Sequence, residues 1–327
     1  MKKILIIQTA SIGDVILATP VLEKLHHHFP DARIDFLVKK GMENLFLGHP
    51  FLHDVLTWDK KSHKYRNFSK LMTGIRHTRY DMVVNLQRFF MTGLLTACSR
   101  AGMRLGFDKN PWSFCFTRKI PHEIGTGIHE IKRNLSLISE ITDDLETMPG
   151  LYPTPSDEAV SGQFVNGIFY TISPASLWFT KQYPVEKWIE LICRIPHEYP
   201  VFLLGAPDDQ ALCQEIINRA GHPGTINLTG KLTLLQSAAL MKQSKMNFTN
   251  DSAPMHLASA VNAPVTAIYC STVPEFGFGP LATNSSVVEI TEKLACRPCG
   301  LHGFKTCPEK HFRCGFGIDA GKLVERL

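Results

Sequence analysis

Short apolar runs, each followed by an amphipathic stretch, recur along the whole chain, and this alternation constrains the fold more than any other feature. Residues 3–8, 33–38, 54–58, 82–86 and 104–107 read as strands in the first half. Residues 168–173, 201–205, 225–228, 246–249 and 265–269 read as strands in the second. Between them 15–29, 69–77 and 91–99, then 185–194, 210–220, 234–242 and 255–260, carry helical periodicity. Strands that alternate with helices imply parallel sheets joined by right-handed crossovers, an α/β architecture.

The 327 residues suffice for two domains of ordinary size. The stretch TMPGLYPTPSDEA, residues 147–159, is dense in Pro, Gly, Ser and Thr and reads as a linker. One sheet of ten strands is the alternative, but two open sheets fit the break better. The expected division is 1–150 and 151–327, two Rossmann-like domains whose sheets direct their carboxyl ends to a shared cleft.

An apolar fraction of 44% and a charged fraction of 20% are those of a globular protein with a sizeable core. No apolar run approaches the ~18 residues of a membrane span, and residues 3–8 read as a buried strand, not a signal peptide. A cytoplasmic protein is expected. The net charge of +5 suits an anionic partner and equally an ordinary solvated surface. Nothing points to nucleic acid as a partner.

The turn after the first strand, Ala10-Ser11-Ile12-Gly13-Asp14, has neither G-x-G-x-x-G nor a P-loop lysine, which speaks against NAD chemistry and P-loop phosphoryl transfer. Gly13 offers a permissive backbone, and Asp14 stands at or near a helix N-cap, where capping alone would account for it. A second strand-to-helix turn, FTNDSAPMHLASA at 248–260, sets Asn250, Asp251 and Ser252 before a helix containing Pro254 and His256. Its free N–H groups and helix dipole make an anion site, although a well-capped helix with an incidental histidine reads the same way. In ISPASLWFTKQYPVEKW, 172–188, a loop with Ser176 and Thr180 leads to Lys181, placed to neutralise a diphosphate.

With these residues in view, ASIGDVILATPVLEKL, TKQYPVEKW and TNDSAPMHLASAVNAPVTAIYCSTVPEF resemble the lipopolysaccharide core heptosyltransferases, glycosyltransferase family nine. RLGFDK at 104–109 resembles a further element of that family. The resemblance implies a GT-B fold of two facing Rossmann-like domains. It implies inverting transfer of L-glycero-D-manno-heptose from ADP-heptose to the inner core of lipopolysaccharide, with Asp14 as general base and Lys181 beside the departing diphosphate. The first domain would bind the acceptor and the second the nucleotide sugar. Inversion needs one carboxylate to deprotonate the attacking hydroxyl, while a diphosphate leaves as an anion and asks for positive charge, so no cofactor is required. Lys181, His256 and the backbone at Ser252–Ala253 would supply that charge. Asp251 would repel a diphosphate and is assigned to capping or a sugar hydroxyl. Asp209 is a candidate for the ribose, and Gly230, Lys231 and Leu232 are candidates for the adenine.

The family's basic acceptor loop corresponds here to WDKKSHKYR, 58–66, which implies that Lys60, Lys61 and Lys64 meet a phosphorylated lipid A–Kdo or inner-core acceptor. A peripheral contact with the cytosolic face of the inner membrane would follow. Ala253 and Asn85 depart from the family's usual residues. A GT-B transferase or epimerase using another nucleotide sugar, and a non-catalytic nucleotide-sugar binding module, are the competing readings.

Nine cysteines in a cytoplasmic chain argue against a disulfide framework. Cys296, Cys299, Cys307 and Cys314 crowd into the tail, 296–314, where four thiols suit a structural Zn²⁺ and His302 or His311 would replace one of them. Reduced core cysteines or a disulfide are the alternatives.

Overall fold

The computed structural model describes residues 2–327. The chain divides into two compact units, Met1–Ile124 with Ile128–Tyr152, and Gly125–Gly127 with Pro153–Leu327. Each is built on one six-stranded sheet in which every pairing is parallel.

The first sheet contains β1 (Lys3–Ile7), β2 (Arg33–Lys39), β3 (Leu52–Trp58), β4 (Met82–Asn85), β5 (Met103–Phe107) and β6 (Arg118–Ile120), in the order β3-β2-β1-β4-β5-β6. The second contains β7 (Tyr170–Ser173), β8 (Val201–Leu203), β9 (Thr225–Asn227), β10 (Met246–Asn250), β11 (Val265–Tyr269) and β12 (Ser285–Glu289), in the order β12-β11-β10-β7-β8-β9. Read from its other edge, the second order repeats the first. Both sheets are doubly wound, and strand order reverses at β1/β4 in one and at β7/β10 in the other. Ligands of such sheets bind at the carboxyl ends of the strands beside that reversal.

Leu5, Ile7, Leu37, Trp58, Val83 and Leu95 pack together in the first unit. In the second, Ile172, Trp188, Leu203, Phe248 and Ile268 form a larger core that also takes in Phe312, Cys314 and Leu323 from the tail. The central strands β1 and β4 of the first sheet are nearly continuous apolar runs, whereas β7 and β10 of the second also bury Thr171, Asn247 and Thr249.

Several details differ from the sequence expectations. The helix expected over 15–29 is two, Ile12–Ile16 and Thr19–His28, and Pro20 is the second residue of the latter, in a first turn that tolerates its missing N–H. The edge strands β6 and β12 went unread: one has only three residues, and the other opens on two serines. The helix Pro155–Gly162 occupies part of the expected linker, started by a capping box of Thr154 and Asp157. Among the described residues no helix is long and apolar enough to cross a membrane.

Candidate functional site

The candidate residues fall at the two reversals, one group in each unit. In the first unit, β1 runs into the helix Ile12–Ile16, whose N-cap is Ser11 rather than Asp14. Gly13 lies inside this helix, so its backbone freedom is not what shapes the turn. Asp14 is the third helical residue and reaches back: its Oδ2 accepts the Ser11 N–H at 3.0 Å and the Ser11 hydroxyl at 2.5 Å. Capping and chemistry are compatible here, because Oδ2 takes both bonds and Oδ1 takes neither. The side chain is half-buried.

Neighbouring loops converge on the same sheet edge. The Thr9 hydroxyl donates to Gln87 Oε1 at 2.7 Å, tying the loop after β1 to the loop after β4. Lys60 Nζ donates to the Thr9 carbonyl and hydroxyl, both at 2.8 Å, and stands 4.8 Å from the Trp58 ring. Burial, then the charges of Lys39 and Lys64, bring the Lys60 pKa down to about 8. Lys60 is thus a half-buried strut, whereas Lys61 and Lys64 are exposed. Asp59 interrupts the basic run by accepting the backbone of Lys61 and Ser62 and pairing with Lys40 at 3.1 Å.

Sequence reading missed a buried polar group near Asp14. Arg133 Nη2 pairs with Glu130 Oε2 at 2.7 Å. The Glu130 pKa is raised, first by burial and further by Asp14, while Arg133 and Arg88 oppose the shift. Arg88, Arg133 and Lys109 also add to the burial that takes His122 down to about 4. Glu130 and Arg133 are three residues apart on one helix, whereas Asp14, Arg88 and Lys109 come near them only through the fold.

In the second unit the loop after β7 meets the turn after β10. Lys181 Nζ lies 2.6 Å from Asp251 Oδ2, with both side chains largely buried. The Thr272 hydroxyl donates to the same Oδ2 at 2.6 Å. Asp251 is therefore a partner of Lys181 and not a helix cap. The N-cap is Ser252, whose side chain makes no capping bond, so the first turn of the helix Ala253–Ala260 has no side-chain acceptor of its own. His256 is buried in that turn. Asn250, passed over as a turn residue, organises the loop: its Oδ1 accepts the Tyr183 N–H at 2.9 Å and its Nδ2 donates to the Pro174 carbonyl at 2.8 Å.

Other expected donor contacts are arranged differently. Thr180 is fully buried, and its hydroxyl oxygen accepts from the Phe304 N–H at 2.7 Å and from Ser271 at 3.0 Å, a structural role. Ser176 is half-buried, and its carbonyl accepts from Gln182 at 2.7 Å. Asp209 turns back on its own loop, accepting the Ala206 N–H at 2.8 Å. Gly230, with φ +70°, donates its N–H to the Gly205 carbonyl at 3.0 Å, beside exposed Lys231 and half-buried Leu232. Asp209 follows β8 and Leu232 follows β9, the first and second strands beyond β7 in the sheet. Asn85 is fully buried, and its Oδ1 accepts the Gln87 N–H at 3.0 Å.

The tail lies against the loop after β11 and, through Phe304 and Thr180, against the loop after β7. Arg297 donates to the Cys270 carbonyl at 2.7 Å, and the Cys299 N–H donates to the Ser271 carbonyl at 2.8 Å. All nine cysteines are free thiols. Burial, reinforced by Cys299, Cys307 and Cys296, pushes Cys314 up to about 11. A cavity of about 490 Å³ lined by Tyr183, Glu186, Lys310 and Phe316 excludes both Lys181 and Asp251.

Known proteins share this fold. The profile of glycosyltransferase family 9 (heptosyltransferase) matches residues 68–309. Lipopolysaccharide heptosyltransferase 3 of Escherichia coli is 27% identical over 278 residues, covering 80% of this chain and 81% of that protein. The structure of E. coli ADP-heptose lps heptosyltransferase II superposes with a TM-score of 0.80 at 21% identity, over 100% of this chain and 97% of that one. The glycosyl transferase family 9 structure from Veillonella parvula gives a TM-score of 0.81 at 22% identity, over 88% and 85%.

Proposed function

Because the chain belongs to glycosyltransferase family 9, the heptosyltransferases, we propose that it transfers L-glycero-D-manno-heptose from ADP-heptose to the inner core of lipopolysaccharide, with inversion at the anomeric carbon. The observation that carries this reading is Lys181, held at 2.6 Å from Asp251 where the helix Ala253–Ala260 begins. A cation beside uncapped backbone N–H groups is what a departing diphosphate needs.

The second unit binds the donor in this account. The diphosphate meets Lys181 and the N–H groups at Ser252 and Ala253, and His256 borders the same turn. Asp251 keeps the Lys181 ammonium in place while using one of its three donors. The first unit binds the acceptor. Asp14 takes the proton of the attacking hydroxyl as the new glycosidic bond forms on the face opposite the departing ADP. Ser11 holds the carboxylate through Oδ2, leaving Oδ1 for the proton. Negative charge passes from the acceptor hydroxyl to the diphosphate, where the cationic groups stabilise it, and the reaction asks for no resident cofactor. Lys61 and Lys64 steer the phosphorylated acceptor, and Lys60 fixes the loop that carries them. A lipid acceptor places the enzyme at the cytosolic face of the inner membrane, in peripheral contact.

The test is incubation of purified protein with ADP-heptose and truncated cores of defined length, followed by mass and anomeric analysis of the product. One added heptose of inverted configuration is expected on one core length. Retention of configuration, or transfer only from a different nucleotide sugar, would contradict the proposal.

A further inference from the structure

The tail that carries Cys296, Cys299, Cys307 and Cys314 has no part in the proposed reaction, yet all four side chains line one cavity of about 300 Å³, together with His311 and Thr180. Four thiols from an irregular segment do not share a cavity through helix or strand periodicity, so the chain path itself gathers them. Exposed His302 does not line the cavity.

The hydrogen bonds of His311 decide its role. Its Nδ1 accepts the Arg313 N–H at 3.0 Å, so in the neutral ring Nε2 carries the proton. That Nε2 lies 3.9 Å from Cys296 Sγ. His311 is thereby a donor toward the Cys296 sulfur rather than a ligand, the outer hydrogen bond that orients a metal-bound group. The ligand set is the four cysteines.

Among the described residues no three Cys, His, Asp or Glu groups already stand at ligand spacing. A tetrahedral Zn²⁺ with Zn–S bonds of about 2.3 Å brings its sulfurs to about 3.8 Å from one another. The thiols must therefore turn inward, and the cavity must contract around the ion.

Contraction there would reach the donor loop directly. Thr180 forms part of the cavity wall, its N–H donates to the Phe304 carbonyl at 3.1 Å, and its hydroxyl accepts the Phe304 N–H at 2.7 Å. At Gly303, φ +76°, an added Cβ would lie 2.8 Å from Thr180 Oγ1 and 3.1 Å from Lys181 Cγ. The tail backbone thus braces the residue that faces Asp251.

We propose that Cys296, Cys299, Cys307 and Cys314 bind one thiolate-preferring divalent cation, zinc or ferrous iron, and that this ion clamps the tail against Thr180 and Lys181, so that donor diphosphate affinity depends on metal occupancy. Binding releases the thiol protons to solvent. The second half of the proposal rests on Lys181 as the diphosphate group; the first half does not.

The experiment begins with elemental analysis of full-length protein purified under reducing conditions without chelator, which should find about one zinc or iron per chain. Chelator-stripped protein titrated with Co²⁺ should develop a tetrahedral thiolate spectrum saturating at one equivalent, absent in Cys296→Ser and Cys307→Ser. Calorimetric titration with ADP should show affinity about fivefold or more weaker in stripped protein and restored by Zn²⁺. Absence of metal with all four tail thiols titratable and no cobalt spectrum would overturn the site. A tail disulfide in the purified protein, or a cobalt spectrum that survives both substitutions, would overturn it too. One bound ion with unchanged ADP affinity in stripped protein would overturn the clamp. Loss of ADP affinity in Lys181→Ala is a separate measurement, so a failure of the metal site and a failure of the donor assignment are told apart.

Discussion

Lys181 and Asp251 form a largely buried ion pair, 2.6 Å from ammonium to carboxylate, with the Thr272 hydroxyl on the same oxygen. The two residues follow adjacent strands, β7 and β10, and sequence reading had given them unrelated roles. Their pairing makes opposite predictions for the two partners. Lys181→Ala removes the cation and leaves a buried carboxylate unpaired, which should weaken ADP binding about tenfold or more and cost about 3 kcal/mol of stability. Asp251→Asn should leave ADP bound at least as tightly, since it removes a competing anion. Calorimetry with ADP and urea unfolding of both variants and the double variant check this. Equal ADP affinity in Lys181→Ala and wild type would end the donor assignment.

Lys60 gives the enzyme an alkaline limit. Its pKa is depressed from the ordinary 10.5 to about 8, so its charge is full only below pH 8. The kcat/KM for an anionic acceptor should therefore fall as pH rises through about 8, because this ratio reports the free enzyme. The sign for stability is opposite. Between about pH 8 and 10.5 the unfolded chain holds the lysine proton more than the folded one, so this group's contribution rises with pH. Lys60→Arg should move the limb upward. An unchanged alkaline limb in that variant would show that another group sets it.

Lys61→Ala with Lys64→Ala should raise the acceptor KM and flatten its dependence on salt, leaving ADP affinity unchanged. Both side chains are exposed, and exposed charges act over about 10 Å at 0.1 M salt. An identical salt profile in the double variant would mean that the loop is merely solvated.

Acid should destabilise the protein through two histidines, half-buried His49 and buried His122. His49, set among Phe46, Phe51 and Tyr152, is lowered to about 4 by burial and by His26. His122 is lowered to about 4 by burial and by Arg88, Arg133 and Lys109. Both pKa values are depressed in the folded state, so stability is retained above pH 6.5 and lost as pH falls toward 4. The slope is at most about 1.4 kcal/mol per pH unit for each proton taken up only on unfolding. His49→Phe keeps the ring packing and should remove one histidine's share of the loss between urea midpoints at pH 7 and 5. The same loss in the variant would place the acid sensitivity elsewhere.

The ten strands that the sequence revealed are mostly the apolar, doubly buried ones. β6 and β12 escaped because an edge strand buries less and need not be apolar, as Arg118–Ile120 shows. Local chemistry also identified the two strand-to-helix turns. It could not distinguish Ser11 from Asp14 as the cap, since a capping box uses both residues. The Lys181–Asp251 pair and the Thr9–Gln87 bond depend on which strands lie side by side, whereas Glu130–Arg133 is an i,i+3 pair on one helix and only its nearness to Asp14 is tertiary. That information resides in the packing of the sheets, not in any short segment. Thr180 misled for a related reason: a polar residue in a phosphate-type loop served the tail instead, through Phe304.

The central claim is that Asp14 removes the proton from the acceptor in heptose transfer, and Asp14→Asn tests it most directly. Asparagine keeps the size of the side chain and an oxygen for Ser11, so folding should be preserved within about 1 kcal/mol. Single-turnover transfer from ADP-heptose should be measured alongside ADP affinity, on protein shown to be folded. The account predicts a rate lower by about 10²–10⁴ with ADP affinity within a few fold of wild type. Transfer at the wild-type rate by the folded variant would contradict it.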